Sequence, residues 1–357
     1  MTDFEALAAS FRRFAEVEVP SGDCPLYETL ALVVADDREL LELASHRQEG
    51  QPIANMLFGA VHYLLAKSPG ELLATHYRTL TPGPEAGDLR SLFREFCLSR
   101  GPKIVRILET RMVQTNEVRR AACLLPAFGE VANRTGKALT LIEIGPAAGL
   151  NLVFDRYAYG YGHGLTAGAP GSAVQVTTES RGALPPVSTL PRVAARLGID
   201  LNPLDVRDAD DMDWLRALVW PDHTDRMALL NAAIEVARKD PPTLIGGDVF
   251  ELLPALIAAA DPETAVCVFA TFVLNQFSEE MRERLRQLLL ASAATRELAI
   301  VVMGFSEFVS MKRELPFEGS LWLAQLGPAG KHATRLAGCH HHGRWIDWAP
   351  EEFELQW

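Results

Sequence analysis

The stretch Leu139-Thr-Leu-Ile-Glu143-Ile-Gly145-Pro-Ala147-Ala-Gly149-Leu-Asn151 constrains this chain more than any other. Leu139 to Ile144 is a short apolar run of the kind that forms a strand buried on both faces. Gly145-Pro-Ala-Ala-Gly149 breaks it, and the apolar segment Leu150 to Phe154 that follows predicts the start of a helix. Strand, small-residue turn and helix make the unit with which an open parallel sheet meets a nucleotide. Small residues are needed because the backbone passes close to the ligand, where a Cβ would stand in the way. Glu143, at the strand end, is placed to accept hydrogen bonds from a ribose or a ligand ammonium group. The bland alternative is a tight strand-to-helix connection with no ligand, and Ala147 stands where a glycine is usual.

With 357 residues the chain can bury a large core, and its formal net charge is −12. An acidic surface excludes the basic footprint that sequence-independent nucleic-acid binding requires, and it disfavours an anionic membrane surface. The start Met-Thr-Asp-Phe-Glu is not that of a signal peptide, and no apolar run reaches the length of a membrane span. Cys24, Cys97, Cys123, Cys267 and Cys339 form no CxxC pair, which predicts reduced thiols in a cytoplasm.

Residues 1–135 read as a helical domain, with apolar periodicity over Phe4–Val17, Leu26–Ala35, Ile53–Ala66, Leu89–Leu98 and Ile104–Met112. His46, His62 and His76 lack the spacing of a metal helix and read as core or surface residues. Thr81-Pro82-Gly83-Pro84 reads as a loop. From Arg100 to Arg120 six basic residues face two acidic ones. That segment reads either as a salt-bridged helix surface or as a lid carrying Gln114, Asn116, Glu117 and Arg119 over the nucleotide turn. Thr115 or Asn116 is the expected cap of a helix running to about Asn133.

Residues 136–357 alternate strands with helices, which predicts an α/β fold. Further strands are expected from Val193 to Asp200, at Thr243–Phe250, Ala265–Thr271, Leu298–Met303, Leu321–Leu326 and Ala333–His340, with an edge strand at Trp345–Trp348. Residues 155–191, with an exposed strand at Ala173–Thr178, read as an insertion on the ligand side of the sheet. Asp200 ends the second strand, where one carboxylate can accept from both hydroxyls of a ribose. Gly247-Asp248 ends the third, where an acid can accept from an adenine amino group.

This order of signals resembles the class I S-adenosylmethionine-dependent methyltransferase fold. Glu143-x-Gly145-x-Ala147-x-Gly149 is similar to its first motif, Asp200 to its ribose acid and Asp248 to its adenine contact. The resemblance implies a Rossmann-like, mostly parallel sheet of seven strands behind an N-terminal all-helical domain, with S-adenosylmethionine as cofactor. Cofactor contacts would fall on Glu143, Gly145, Ala147, Gly149, Asn151, Asp200, Leu201, Asp248, Val249 and Thr271. Over nearly its whole length the chain also resembles a bacterial family of uncharacterised proteins. Gln114-Thr-Asn-Glu-Val-Arg-Arg120, Glu143 to Leu152, Asp155-Arg-Tyr157, Gly198-Ile-Asp-Leu-Asn-Pro203 and Trp214 to Pro221 carry that match.

The leading expectation is therefore methyl transfer to a small molecule. Gln114, Asn116, Arg119, Arg120 and Asn275 are the candidate substrate contacts, with Glu117 and Asp155 as candidate bases. A basic cluster at Arg119 and Arg120 favours an anionic acceptor. The alternative is a non-catalytic nucleotide-binding or protein-interaction domain on a degenerate methyltransferase-like fold. A nicotinamide site ranks lower, because Gly145-x-Ala-x-Gly is one residue short of GxGxxG. No GxSxG occurs, since Gly304-Phe-Ser306 lacks the second glycine. Cys339-His-His-His342 cannot converge on one ion if it lies in a strand, so no metal is expected. A homodimer is left open.

Overall fold

The computed structural model describes residues 3–81, 83, 86–304, 318–328, 330–355 and 357. Pro82 and Pro84 of the expected loop, and Ser306, lie outside the described residues. The chain forms two compact units, Met1–Thr115 with Asp208–Leu230, and Asn116–Arg207 with Asn231–Trp357. Residues 116–135, read with the helical part from sequence, belong to the second unit, and 208–230 belong to the first.

The first unit is helical. Phe4–Arg13, Pro25–Ala35, Arg38–Ser45, Ile53–Ala66, Leu89–Ser99, Gly101–Thr110 and Ala209–Ala217 are α-helices. Asp3, Asp37, Asp88 and Asp208 start four of them, each accepting from backbone N–H groups that the first turn leaves without partners. The core is aromatic: Phe58 stacks on Tyr27 at 4.6 Å and meets Phe11, Phe14 and Phe93. Gly59 lets Trp214 and Leu218 approach, since a Cβ there would lie 3.0 Å from the Leu218 side chain. His62 is buried as a neutral ring. Its Nδ1 lies 3.0 Å from the Ala217 carbonyl oxygen and its Nε2 2.9 Å from the Thr79 hydroxyl.

The second unit is built on one sheet. Its strands are β1 Leu139–Ile144, β2 Ala158–Gly160, β3 Thr166–Gly168, β4 Gln175–Thr177, β5 Glu179–Gly182, β6 Val193–Asp200, β7 Thr243–Gly246, β8 Ala265–Thr271, β9 Leu298–Gly304, β10 Glu318–Gly327, β11 Gly330–His340 and β12 Trp345–Phe353. Among the described residues nine of them make the order β5-β12-β11-β10-β9-β8-β1-β6-β7, where seven were expected from sequence. The five strands β7-β6-β1-β8-β9 run parallel. From β9 to β12 the neighbours are antiparallel, and β5 joins β12 in parallel. Numbered along the chain, the parallel strands lie in the order 3-2-1-4-5, the doubly wound arrangement.

Burial on both faces explains the uninterrupted apolar strands. On one face Ile142, Ile144, Val266, Val268, Ile300 and Val302 pack with Leu253, Ile257, Leu285 and Leu289 of helices Val249–Ala259 and Glu279–Ala293. On the other, Phe128 of helix Ala121–Thr135 fits between Phe154 and Phe269, at 4.8 and 5.0 Å. The insertion forms a small sheet, β3-β2-β4, and supplies β5 to the main sheet. Tyr157, Tyr159 and Tyr161 fasten it by donating to the carbonyls of Leu150, Phe154 and Ala122. No helix among the described residues is long and apolar enough to cross a membrane.

Burial holds the His62 pKa down at about 4, against 6.5 for an ordinary histidine. Its neutral form is the one folded, so its contribution is complete above pH 6.5 and falls as the pH drops toward 4. The difference corresponds to about 3 kcal/mol. Denaturant unfolding followed by tryptophan fluorescence should show wild type losing that much more stability than His62→Gln between pH 7 and pH 4.

Candidate functional site

In an open doubly wound sheet the ligand crevice lies at the carboxyl ends of the strands, where neighbouring connections leave in opposite directions. Here that point is between β1 and β8, with β6 and β7 beside β1. Glu143, Asp200 and Asp248 stand at or just past the ends of β1, β6 and β7, three adjacent strands. In β1, Glu143 pairs in register with Gly198 and Phe269, and Asp200 pairs with Gly246.

The turn after β1 is held from within. Asp200 Oδ2 accepts from Ala147 N at 2.9 Å, and its Oδ1 accepts from Asn202 N at 2.9 Å. Asn116 Oδ1 accepts from both Ala148 N, at 3.2 Å, and Leu150 N, at 3.1 Å. Gly149 N donates to the Pro146 carbonyl. Gly145, Ala147 and Gly149 are all left-handed, with φ of 69°, 52° and 71°. Ala147 thus takes a conformation that favours glycine, secured by the Asp200 carboxylate. Beyond the turn, Leu150–Arg156 is 3-10 rather than the expected α-helix.

The glycines make room for protein atoms. A Cβ at Gly145 would lie 2.6 Å from Val273 Cγ2, and one at Gly149 would lie 2.6 Å from Pro242 Cγ and 3.1 Å from Leu244 Cδ2. Val273 follows Phe272, whose own φ is +63°. A left-handed phenylalanine at the switch point stores strain that the surroundings must hold. The Arg120 guanidinium does so, lying 4.6 Å from the centre of the Phe272 ring.

Arg120 also ties two strand tips together. It donates to the Thr271 carbonyl at 3.4 Å and to the His341 carbonyl at 2.9 Å. Its charge reaches Glu143, which is only 1% exposed. Burial pushes the Glu143 carboxyl up to about 8, and the nearby Asp200 charge adds to that. Arg120 and the Asn151 amide pull the other way. Glu143 is therefore mostly a neutral acid at pH 7. Glu143 Oε2 and Asn151 Oδ1 are both buried and have no hydrogen-bond partner. Two such buried oxygens mark a place for a polar group of a ligand.

The remaining candidates are dispersed in role. Thr271 is buried beneath Arg120. Asp248 caps helix Val249–Ala259 through Phe250 N, at 2.9 Å, and Val249 is packed in the core. Leu201 is 75% exposed, and Asn275 is exposed in the short 3-10 segment Val273–Gln276. Asp155 pairs with Arg196 of β6 at 2.6 Å. Glu117 is buried and accepts from Arg119 N, capping the 3-10 segment Val118–Arg120, so Asn116 does not cap the following helix. Gln114 belongs to the helical unit. Phe272 and Val273 carry no sequence signal that marks them, since positive φ is ordinarily read from glycine.

A cavity of about 580 Å³ lies at the opposite ends of the strands, among Lys137, Thr264, Arg296 and His332. Arg296 is turned to the carbonyls of Ala260, Asp261 and Thr264, and Lys137 to that of Pro262. Among the described residues no group of three or more His, Cys, Asp or Glu side chains can hold a metal ion.

Asn116→Ala removes the acceptor of two buried N–H groups at once, a loss of about 2–4 kcal/mol. Asn116→Asp keeps the oxygen. Thermal unfolding should place Asn116→Ala well below wild type and Asn116→Asp between them.

No curated protein matches this sequence. Among solved structures the chain is similar to S-adenosylmethionine-bound CalS10, an amino pentose methyltransferase from Micromonospora echinaspora. The identity is 14%, over 66% of this chain and 75% of that one, with a TM-score of 0.23. It is also similar to Streptomyces venezuelae DesVI, at 11% identity over 76% of this chain and 84% of that one, again with a TM-score of 0.23. Overlaps that loose fix neither a fold nor a ligand. A family model matches residues 8–348, nearly the whole chain, and by that match the protein belongs to DUF2332, described as uncharacterized protein conserved in bacteria.

Proposed function

We propose that this protein binds S-adenosylmethionine at the carboxyl ends of β1, β6 and β7 and transfers its methyl group to a small anionic molecule. The observation that carries this reading is the pair of buried oxygens without a partner, Glu143 Oε2 and Asn151 Oδ1, beside the switch point. With Glu143 ionised, the two oxygens accept from a ligand ammonium group; with it neutral, they suit a hydroxyl. Asp200 accepts from two backbone N–H groups at the tip of β6, the place of a ribose acid in such a sheet. Asp248 Oδ1 accepts from Phe250 N just past the tip of β7, where an acid can face an adenine amino group. S-adenosylmethionine, when bound, supplies an electrophilic methyl on a sulfonium, so the protein mainly aligns donor and acceptor and excludes water.

In this reading Glu143 holds the ligand ammonium, Arg120 fixes the two strand tips around it, and Arg119 faces the acceptor's charge. Asn116 and Asn275 remain proposed acceptor contacts. Glu117 is the proposed base where one is needed; Asp155, engaged by Arg196, is the weaker candidate. The five free cysteines are all buried, which suits the proposed cytoplasmic setting. A homodimer belongs to the same proposal.

Two observations favour a second reading, a non-catalytic domain on a degenerate fold. Val273 fills the space over Gly145, and Pro242 fills that over Gly149. The turn's N–H groups are also engaged by Asn116 and Asp200. The latter disfavours a dinucleotide, whose pyrophosphate needs those donors.

Calorimetric titration with S-adenosylhomocysteine separates the two. Cofactor binding predicts heat with wild type and at least several-fold tighter binding to Val273→Ala, which opens the space over Gly145. The absence of heat with both proteins at millimolar ligand discards the methyltransferase reading and leaves the second.

Glu143 supplies an independent check. Its carboxyl stands near 8 in the free protein, and a neighbouring ammonium lowers it. Titration at pH 7 in buffers of different ionisation enthalpy should therefore show release of close to one proton. Glu143→Gln should bind without that release.

A further inference from the structure

The search beyond the strand-tip site leads to the turn that joins β11 to β12. β11 ends at His340, and His341 to Arg344 reverse the chain with Gly343 left-handed at φ 69°. The three imidazoles pile on one another. His340 and His341 centroids are 4.2 Å apart, and those of His341 and His342 are 4.1 Å apart. His342 N donates to His340 Nδ1 at 3.0 Å, so neutral His340 carries its proton on Nε2 and presents a donor there. Trp345 lies edge-on to His340, and the Arg181 guanidinium covers the Trp345 ring at 4.4 Å.

Arg119 arrives from another element. The turn packs on it so tightly that a Cβ at Gly343 would lie 2.5 Å from the Arg119 carbonyl oxygen. Arg120, next in sequence, donates to His341 O. Arg119, Arg181 and Arg344 therefore gather around one histidine pile in a chain whose net charge is −12. The carboxylates on these elements fall against Arg181 and the Arg119 backbone. Glu179 pairs with Arg181 at 3.5 Å, Glu117 accepts from Arg119 N, and Asp347 lies opposite Arg181 in the β12–β5 register.

We propose that the turn His340–Arg344, with Arg119 and Arg181, is a binding site for a small oxyanion, a phosphate or carboxylate group. Imidazole and guanidinium N–H groups are the donors such a group takes, and guanidinium charge supplies the attraction. Burial, with the charges of His341, Arg344, Arg119 and Arg181, holds His340 down at about 3. A bound anion reverses the charge contribution and makes His340 easier to protonate. The site lies at the carboxyl edge of the sheet, and Arg120 links it directly to the tip of β8. An acceptor molecule anchored here by its anionic group thus has its remainder directed toward the switch point. That last step rests on the proposed methyl transfer; the anion site does not.

The test is a histidine NMR titration of the full chain with inorganic phosphate, then with succinate, each against sodium chloride at equal ionic strength. His340→Gln assigns the resonance. The expected result is a His340 pKa raised by about one unit or more at saturation. The shift should be lost in Arg344→Gln, an exposed change that leaves the melting temperature in place. A shift with phosphate alone identifies a phosphate site, and a shift with succinate as well identifies a general oxyanion site. No shift with either, or an equal shift with chloride, overturns the proposal. Because no nucleoside is present, failure of the cofactor titration leaves this result standing.

Discussion

A backbone that turns sharply inside a protein must find partners for every N–H it exposes, and the Gly145–Asn151 turn meets that demand with two side chains. Asn116 takes two of the donors and Asp200 takes a third. The two acceptors come from opposite directions, one ahead of helix Ala121–Thr135 and one from the tip of β6. Through them the position of β1 relative to its neighbour, and of the helix covering the sheet, is settled at a single bend. Ala147 can occupy left-handed space because the Asp200 carboxylate holds its N–H there.

The same region sets its own electrostatics. Glu143 is sealed from water, and Arg120 is close enough to soften that penalty without removing it. Arg120 itself is committed to two carbonyls and an aromatic ring. A charge so firmly placed acts as fixed scenery for whatever enters, which is how sites gain electrostatic selectivity without moving. The neutral acid beside it responds to the sign of a visitor.

Much of the fold was legible in the sequence. β1, β8 and β9 are apolar runs with no interior turn residue, and that signals burial on both faces directly. Asp200 and Asp248 at strand tips were legible for the same reason, since each ends an apolar run. The meander β10–β12 was read as two strands and an edge. β5 was not anticipated as part of this sheet, because its pairing with β12 joins residues more than 160 positions apart. Likewise the return of 208–230 to the helical unit depends on contacts such as Trp214 with Gly59, which no local pattern carries. At the site, the turn and its acid were visible, and its filling was not. Nothing in Thr271-Phe-Val273 announces a left-handed phenylalanine or a valine seated over a glycine. Conversely, Asp155 and Val249 looked available in sequence; the structure commits one to Arg196 and the other to the core.

The valine over Gly145 has a thermodynamic corollary. Any guest that reaches that glycine competes with a side chain already resident, so occupancy requires a rearranged minority conformer. Observed affinity is the intrinsic affinity scaled down by the fraction of molecules in that conformer. Val273 is carried beside the left-handed backbone of Phe272, so substitutions at that bend, away from any guest atom, are expected to change how readily the door opens.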